Sequence, residues 1–281
     1  MTFYSSSKFL KIYLVILICA GIFQSCAPKP YATTNKIYKE NAKNIARIIV
    51  SQPTDSVVAD SVKYPKDWAG TTNFGMRKPN FVIIHHTAQD SCEETLKTFT
   101  LERTQVSAHY LICKDGTLHH MLNDFLRAWH AGLSKWGNLT DINSASIGIE
   151  IDNNGIDTFT TAQLNTLIGL LANLKEAHNI PVANFIGHGD IAPGRKVDPN
   201  VNFPWKQLAD KGFGHWYSDT TNAIVPVSFN PVYALRIIGY DISRIDPAIE
   251  AFRRHFLQME GKGDLKETEK KVLYILMQKY L

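Results

Sequence analysis

The sequence predicts an α/β domain, in which a mixed central β-sheet is flanked by helices, followed by a small three-helix bundle. Between residues 68 and 211, short apolar runs alternate with segments whose apolar residues recur at helical spacing. This alternation is typical of a sheet covered by helices. After about Lys211 only short amphipathic patterns follow. A chain of 281 residues is long enough for one substantial domain and a smaller one.

Five strands are predicted in the main domain. Phe81–Ile84 is a continuous apolar run, as expected of a buried strand. Ala145–Ile151 has apolar residues on both faces, which a central strand requires. The others flank a Lys-Asp-Gly turn or precede His188, and they cover Val106–Cys113, Thr117–Leu122 and Asn184–Gly187.

The helices are predicted from their caps and their periodicity. Ser91-Cys92-Glu93-Glu94 is a capping box that opens a helix through Leu101. Thr160 opens a second helix, which stops near Asn179 and has an apolar face formed by Leu164, Leu167, Ile168, Leu171 and Leu174.

The C-terminal residues 212–281 predict three further helices. Asp246 is interpreted as an N-cap, with Pro247 in the first helical position of the middle helix. The outer two helices cover Pro231–Gly239 and Lys266–Leu281.

The N-terminus predicts export. Lys8 and Lys11 precede the apolar run Tyr13–Phe23, and a basic start with a short apolar core describes a secretory signal over residues 1–25. A membrane-spanning helix needs about 20 apolar residues, and this run is shorter. Residues 26–67 are polar and predict a tether that holds the domain off a membrane, with a helical patch at Ile37–Val50.

Charge and cysteine content restrict the partners. The net charge of +4 is mild and spread along the chain without a basic cluster, so no nucleic-acid partner is expected.

Export permits a disulfide between Cys92 and Cys113. Two buried, unpaired cysteines would explain the sequence equally well.

One stretch predicts a metal site. His188 and Asp198 lie on either side of the turn Pro193-Gly194, which can fold the chain back so that both side chains face one point. The predicted strand Phe81–Ile84 ends in a histidine pair, which would add a third ligand. Two histidines, one carboxylate and an open position are the pattern of a catalytic zinc ion.

Five segments resemble the zinc N-acetylmuramoyl-L-alanine amidases, a family shared by bacterial amidases and animal peptidoglycan recognition proteins. They occur in the family's order over roughly residues 72–210 and comprise Val82–Ala88, Val106–Tyr110, Ala128–Gly132, Ser146–Glu150 and His188–Pro199. Asn200 departs from the family, in which many relatives have glycine after Asp-Pro. We expect that change to affect only the local turn.

The resemblance implies a role for each site residue. The zinc ligands would be His85, His188 and Asp198, with His86 supporting or packing. Glu150 would be the catalytic proton shuttle, and Lys196 would stabilise the oxyanion. The resemblance also implies that the substrate cleft is lined by Trp129, His130 and Arg195.

The end of the signal resembles a lipoprotein cleavage box, with Cys26 as the lipidated residue. Phe23 and Gln24 depart from that pattern, and ordinary secretion with an incidental cysteine is the alternative. The expected location is therefore the cell envelope, on the periplasmic side of the outer membrane, through an N-terminal lipid anchor. Residues 212–281 resemble the peptidoglycan-binding helical modules of some relatives, and the alternative is a bundle that only packs on the domain at residues 68–211.

Together these features predict a zinc enzyme that cleaves the amide between N-acetylmuramic acid, or its anhydro form, and L-alanine in peptidoglycan or muropeptides. One alternative is a non-catalytic wall-binding protein of the same fold. Another is a recycling amidase restricted to anhydromuropeptide fragments. A third is a different metal-dependent peptidase with the same ligands.

Overall fold

A computed structural model of the chain describes residues 30–50 and 70–281. The chain divides into two compact units, Met1–Asn73 and Phe74–Leu281. The described part of the first unit contains helix α1, Ala32–Val50, which includes the helical patch predicted at Ile37–Val50. No helix in the described residues is long and apolar enough to cross a membrane. The predicted signal and Cys26 lie outside these residues.

The second unit is built on a five-stranded mixed sheet, as the sequence predicts. Its strands are in the order β3-β2-β4-β1-β5, and only β3 runs antiparallel to its neighbour. They are β1 Phe81–His86, β2 Tyr110–Ile112, β3 Leu118–His120, β4 Ser146–Ile151 and β5 Phe185–Gly187.

The second strand is shorter than predicted. The prediction began at Val106, whereas β2 begins at Tyr110. The backbone N–H of Ser107 donates to the carbonyl of Trp129 instead of to a strand. The chain therefore leaves the sheet here to contact the loop that carries Trp129.

Four helices of the second unit begin at a residue whose polar side chain accepts from a first-turn N–H group. Ser91 Oγ accepts from the N–H of Glu94, and Thr160 forms the reciprocal capping box with Gln163. The helices are α2 Cys92–Thr100, α3 Ile142–Ala145, α4 Thr161–His178, α5 His188–Ile191, α6 Trp205–Asp210, α7 Pro231–Ile238, α8 Ile245–Phe252 and α9 Glu267–Met277. A π-helical turn, Arg253–Leu257, continues α8.

The predicted start of α8 is wrong by two residues. Arg244 occupies the N-cap position, and Asp246 lies inside the first turn rather than at the cap. Pro247 is tolerated there because the first N–H groups of a helix have no intrahelical acceptor to lose. Asp246 in the first turn also suits the positive end of the helix dipole.

The two faces of the sheet pack against different helices. Val82 and Ile84 of β1 belong to the core that contains Leu167 and Leu171 of α4. Ile83, which points the other way, belongs to the core formed with the C-terminal helices α7, α8 and α9. The C-terminal helices thus share a hydrophobic core with the sheet. Their role in binding peptidoglycan stays a prediction.

A disulfide joins Cys92 to Cys113, with the two Cα atoms 5.3 Å apart. It links the start of α2 to the residue after β2. Of the two alternatives for these cysteines, a disulfide or two buried unpaired residues, the structure therefore shows the disulfide.

Removing this disulfide should lower the free energy of unfolding by about 3 kcal/mol, because closing a loop of sequence separation 21 restricts the unfolded chain. The measurement is urea unfolding of the Cys92→Ala, Cys113→Ala double variant. Reduced wild type should unfold like the double variant, which should not respond to reductant. Identical midpoints for oxidised and reduced wild type would contradict this expectation.

Candidate metal centre

Three polar residues meet at the carboxyl edge of the parallel strands. His85 and Glu150 are register partners on β1 and β4, and Ile84 pairs with Gly187, the last residue of β5. His188 follows Gly187 directly, so it emerges beside His85. Parallel strands end at the same edge of a sheet, where binding sites of α/β folds collect.

Asp198 completes the cluster from the turn that follows α5. The N–H of Gly189 donates to the carbonyl of Asp198 at 2.7 Å, which ties this turn to the residue after His188. His85 Nδ1 lies 3.0 Å from His188 Nδ1 and 3.1 Å from Asp198 Oδ2. The distance from His188 Nδ1 to Asp198 Oδ2 is 2.9 Å. All three side chains are buried, and they converge as the sequence predicts.

The hydrogen bonds of His188 assign its tautomer. Its Nε2 lies 3.0 Å from the carbonyl oxygen of Ala131, which can only accept. The Arg195 guanidinium nitrogen 3.3 Å from Nε2 donates to that same carbonyl at 2.7 Å, so Nε2 carries the proton and Nδ1 presents a lone pair to the cluster.

A longer chain of hydrogen bonds assigns the tautomer of His85. The hydroxyl of Ser146 donates to Ile142 O at 2.7 Å, so its oxygen accepts from His130 Nε2 at 3.2 Å. His130 Nδ1 must then accept from His85 Nε2, at 3.1 Å. His85 Nδ1 also presents a lone pair, and such buried partners are what orients metal-binding histidines.

This donor set fits a divalent cation. Two neutral nitrogens and one carboxylate oxygen form a nearly equilateral triangle with sides of 2.9–3.1 Å. Tetrahedral zinc ligands at about 2.0–2.2 Å from the ion lie about 3.3–3.6 Å from each other, slightly farther apart than these three atoms. Without a cation, one proton on these atoms could form a hydrogen bond within only one of the three atom pairs, whereas a cation contacts all three atoms. Burial lowers the pKa of His85 to about 4, which keeps that imidazole neutral, as a metal ligand must be.

Glu150 lies beside the triangle. Its Oε1 is 3.9 Å from His85 Nδ1, and within the described chain its buried Oε2 has no hydrogen-bond partner. Burial, with a smaller effect from the charge of Asp198, raises the pKa of Glu150 to about 8, although Lys196 opposes this. A cation among the three ligands would lower that pKa again. An acceptor of this kind suits a group that exchanges protons with a molecule entering the site.

The triangle opens into a cleft of about 340 Å³, within the range for small-molecule sites. Thr98 and Phe99 of α2 form one wall, and Lys196 and Val197 form another. The indole of Trp129 is 47% exposed at the rim, so its flat face is open to a ligand.

The other predicted cleft residues have additional contacts. His130 borders the cleft, but both of its ring nitrogens are engaged behind His85. Arg195 also borders the cleft, and its guanidinium donates to the carbonyls of Ala131 and Leu133. It therefore holds the loop whose Ala131 carbonyl orients His188.

His86 and Asn200 form a contact that the sequence did not reveal. His86 Nδ1 accepts from the N–H of Asn200 at 3.0 Å. The side-chain amide of Asn200 donates to Asn153 Oδ1 and Asp157 O. Asn200 thus reaches beyond its own turn, to which its effect was expected to be confined.

Sequence reasoning missed the part that Ser146 and Gly148 play behind His85. A Cβ atom at Gly148 would lie 2.4 Å from the ring of His130, so only glycine lets that ring lie against β4. A glycine inside a central strand is a signal of close approach and could have indicated this contact.

One protein family and several known proteins are similar to this chain. The N-acetylmuramoyl-L-alanine amidase family matches residues 75–201. The N-acetylmuramoyl-L-alanine amidase AmiD of Escherichia coli (strain K12) is 32% identical over 230 residues, which cover 71% of this chain and 82% of AmiD.

Two solved structures are similar to this chain. AMPDH3 from Pseudomonas aeruginosa has a TM-score of 0.65 and 30% identity, with 78% of this chain and 98% of that chain covered. AmiD from E. coli, in complex with the substrate anhydro-N-acetylmuramic acid-L-Ala-D-gamma-Glu-L-Lys, has a TM-score of 0.64 and 28% identity, with 80% and 97% covered. Since the identity to AmiD extends over most of both chains, the chain belongs to the N-acetylmuramoyl-L-alanine amidase family.

Proposed function

We propose that this chain uses zinc to hydrolyse the amide between N-acetylmuramic acid, or its anhydro form, and L-alanine in peptidoglycan or muropeptides. The observation that carries the proposal is the triangle of two imidazole lone pairs and a carboxylate oxygen at the floor of a cleft, beside an unpartnered Glu150 oxygen.

His85, His188 and Asp198 would hold the ion. When bound, zinc acts as a Lewis acid that polarises a carbonyl oxygen and makes water a stronger acid. The neutral imidazoles leave most of the ion's charge available for this purpose. His130 and Ala131 keep the two histidines in the ligating tautomer.

Glu150 would move the proton. Its carboxylate can take a proton from the attacking water and give it to the leaving amine, because Oε2 has no other partner among the described residues. Lys196 lines the same cleft and is close enough to lower the pKa of Glu150. Its ammonium would stabilise the negative oxygen that develops on the amide carbonyl carbon. Trp129 and Arg195 would contact sugar or peptide at the rim.

The relatives support muropeptides as the substrate. The AmiD structure contains an anhydro-N-acetylmuramic acid tripeptide, and one AMPDH3 structure contains an anhydromuramic pentapeptide. Both ligands are anhydro forms, which supports that form as one substrate of this chain.

The proposal includes export and a lipid anchor at Cys26. Its support is the basic and apolar N-terminus followed by Gln24-Ser25-Cys26. Helix α1 begins shortly after Cys26, has no buried residues, and includes the basic residues Lys36, Lys39, Lys43 and Arg47. Such a helix favours an anionic surface.

Zinc content and activity should be lost together. Purified chain should contain about one zinc per molecule, and a chelator should abolish release of the stem peptide from a defined muropeptide, as followed by mass spectrometry. His188→Ala should contain no zinc and be inactive, whereas His120→Ala, at an exposed histidine, should match wild type. Full activity in the chelated, zinc-free chain would refute the proposal.

Two variants should lose turnover while retaining zinc. Glu150→Gln removes the proton carrier and should lower kcat by about 10²–10⁴. Lys196→Ala should lower kcat by about 10²–10³, since it removes charge aimed at the transition state. KM should change little in both, because each interaction matters most in the transition state. Glu176→Gln and Lys262→Ala, at exposed positions, are the controls. Loss of zinc from Glu150→Gln would instead make Glu150 a ligand.

The anchor can be tested by fractionation of whole cells. Cys26→Ser should move the protein from the membrane to the soluble fraction, because the acyl chains that hold it can no longer be attached. Cys19→Ser, inside the apolar core of the predicted signal, should leave the protein in the membrane fraction. Unchanged membrane retention of Cys26→Ser would dispose of the lipid anchor.

A further inference from the structure

A buried carboxylate lies two residues after His188. Asp190 in α5 is 3% exposed and accepts three hydrogen bonds. The N–H of Gly187 donates to Oδ2 at 2.8 Å, and His255 Nδ1 donates to the same oxygen at 2.7 Å. The hydroxyl of Tyr240 donates to Oδ1 at 2.8 Å. Both oxygens of a buried carboxylate are therefore satisfied, as burial requires.

Two of these donors come from the C-terminal segment. Tyr240 follows α7, and His255 lies in the π-helical turn after α8. Burial, together with the neighbouring charge of Asp190, raises the pKa of Tyr240 well above its usual value, so the hydroxyl keeps its proton and donates. The His255 ring is stacked between Trp205 and Phe256, with centroid distances of 3.9 and 4.0 Å. Its orientation is thus determined by packing as well as by Asp190.

Hydrogen bonds hold the backbone on both sides of His188, and the Asp190 carboxylate makes the one before it. On one side, the N–H of Gly187 is bonded to the Asp190 carboxylate. On the other, the N–H of Gly189 is bonded to the carbonyl of Asp198. Without the donors of the C-terminal segment, the charge of Asp190 would be buried with one partner, Gly187, and the short helix would have to move to expose it.

We infer that His255 and Tyr240 are positioning residues of the metal centre: they hold Asp190, and through it the turn that aims His188 Nδ1 at the ion. The C-terminal helices are then part of the metal site, whatever else they bind. This inference rests on the proposed metal-dependent function.

The test compares variants that change one donor each. His255→Leu removes the imidazole donor, and His255→Asn returns an amide N–H near the position of Nδ1. Tyr240→Phe removes only a hydroxyl. Tyr274→Phe is the matched control, since Tyr274 is half-buried in α9 and its ring packs against Phe229.

The readouts are the Kd for zinc, measured by competition with a chromogenic chelator, and the visible spectrum of the cobalt-substituted chain. His255→Leu should raise the Kd about 10-fold or more and shift the cobalt bands, as loss of supporting residues does at metal sites. His255→Asn should recover part of that loss. Tyr240→Phe should raise the Kd roughly 2- to 10-fold, the value of one hydrogen bond. Tyr274→Phe should match wild type.

The outcomes separate the two proposals. If wild type itself binds no zinc at the triangle, the proposed function fails. If wild type binds zinc, and folded His255→Leu and Tyr240→Phe bind it with the wild-type Kd and cobalt spectrum, the positioning role is wrong. Should His255→Leu fail to fold, Tyr240→Phe and His255→Asn decide alone, because both preserve most of the volume of the side chain they replace.

Discussion

The close approach of three buried polar atoms, from His85, His188 and Asp198, is the constraint on which the rest of the structure depends. Two imidazole nitrogens with lone pairs and a carboxylate oxygen lie within 3.1 Å of each other. A bound cation would stabilise this arrangement, and without one the surrounding contacts of the chain must keep the three atoms together. The parallel register of β1, β4 and β5 brings His85, Glu150 and His188 to one edge. The turn at residues 193–199 then returns Asp198 to that edge.

The surrounding contacts orient these atoms rather than adding ligands. His130 and Ser146 determine which nitrogen of His85 faces the cluster, and Ala131 does the same for His188. Arg195 donates to the Ala131 carbonyl as well, so the loop that orients His188 is itself held. A metal held by these atoms would need this support, because a small displacement of one ligand changes the geometry in which substrate is bound.

The sequence predicted the elements that local chemistry specifies. The helix that begins after Thr160 and the apolar run of β1 were both found where expected. The prediction failed where a partner distant in sequence decides the outcome. Ser107 bonds Trp129 and lies outside the sheet, and Arg244 occupies the N-cap position of α8 in place of Asp246. Neither Trp129 nor the packing of α8 on the sheet is visible in a local window.

By itself, the sequence determined the family, the mixed sheet with its helices, and the types of residue in the candidate metal site. The reason is that residue chemistry and spacing along the chain can be read directly from the sequence. Only the tertiary structure decided that Cys92 and Cys113 pair, which ring nitrogen of each histidine faces the cluster, and that His255 and Tyr240 contact Asp190. These contacts join residues separated by up to 65 positions. The physical reason is that a tautomer or a buried hydrogen bond depends on which atoms the folded chain brings within about 3 Å of each other. Periodicity along the chain does not specify which atoms from distant segments meet.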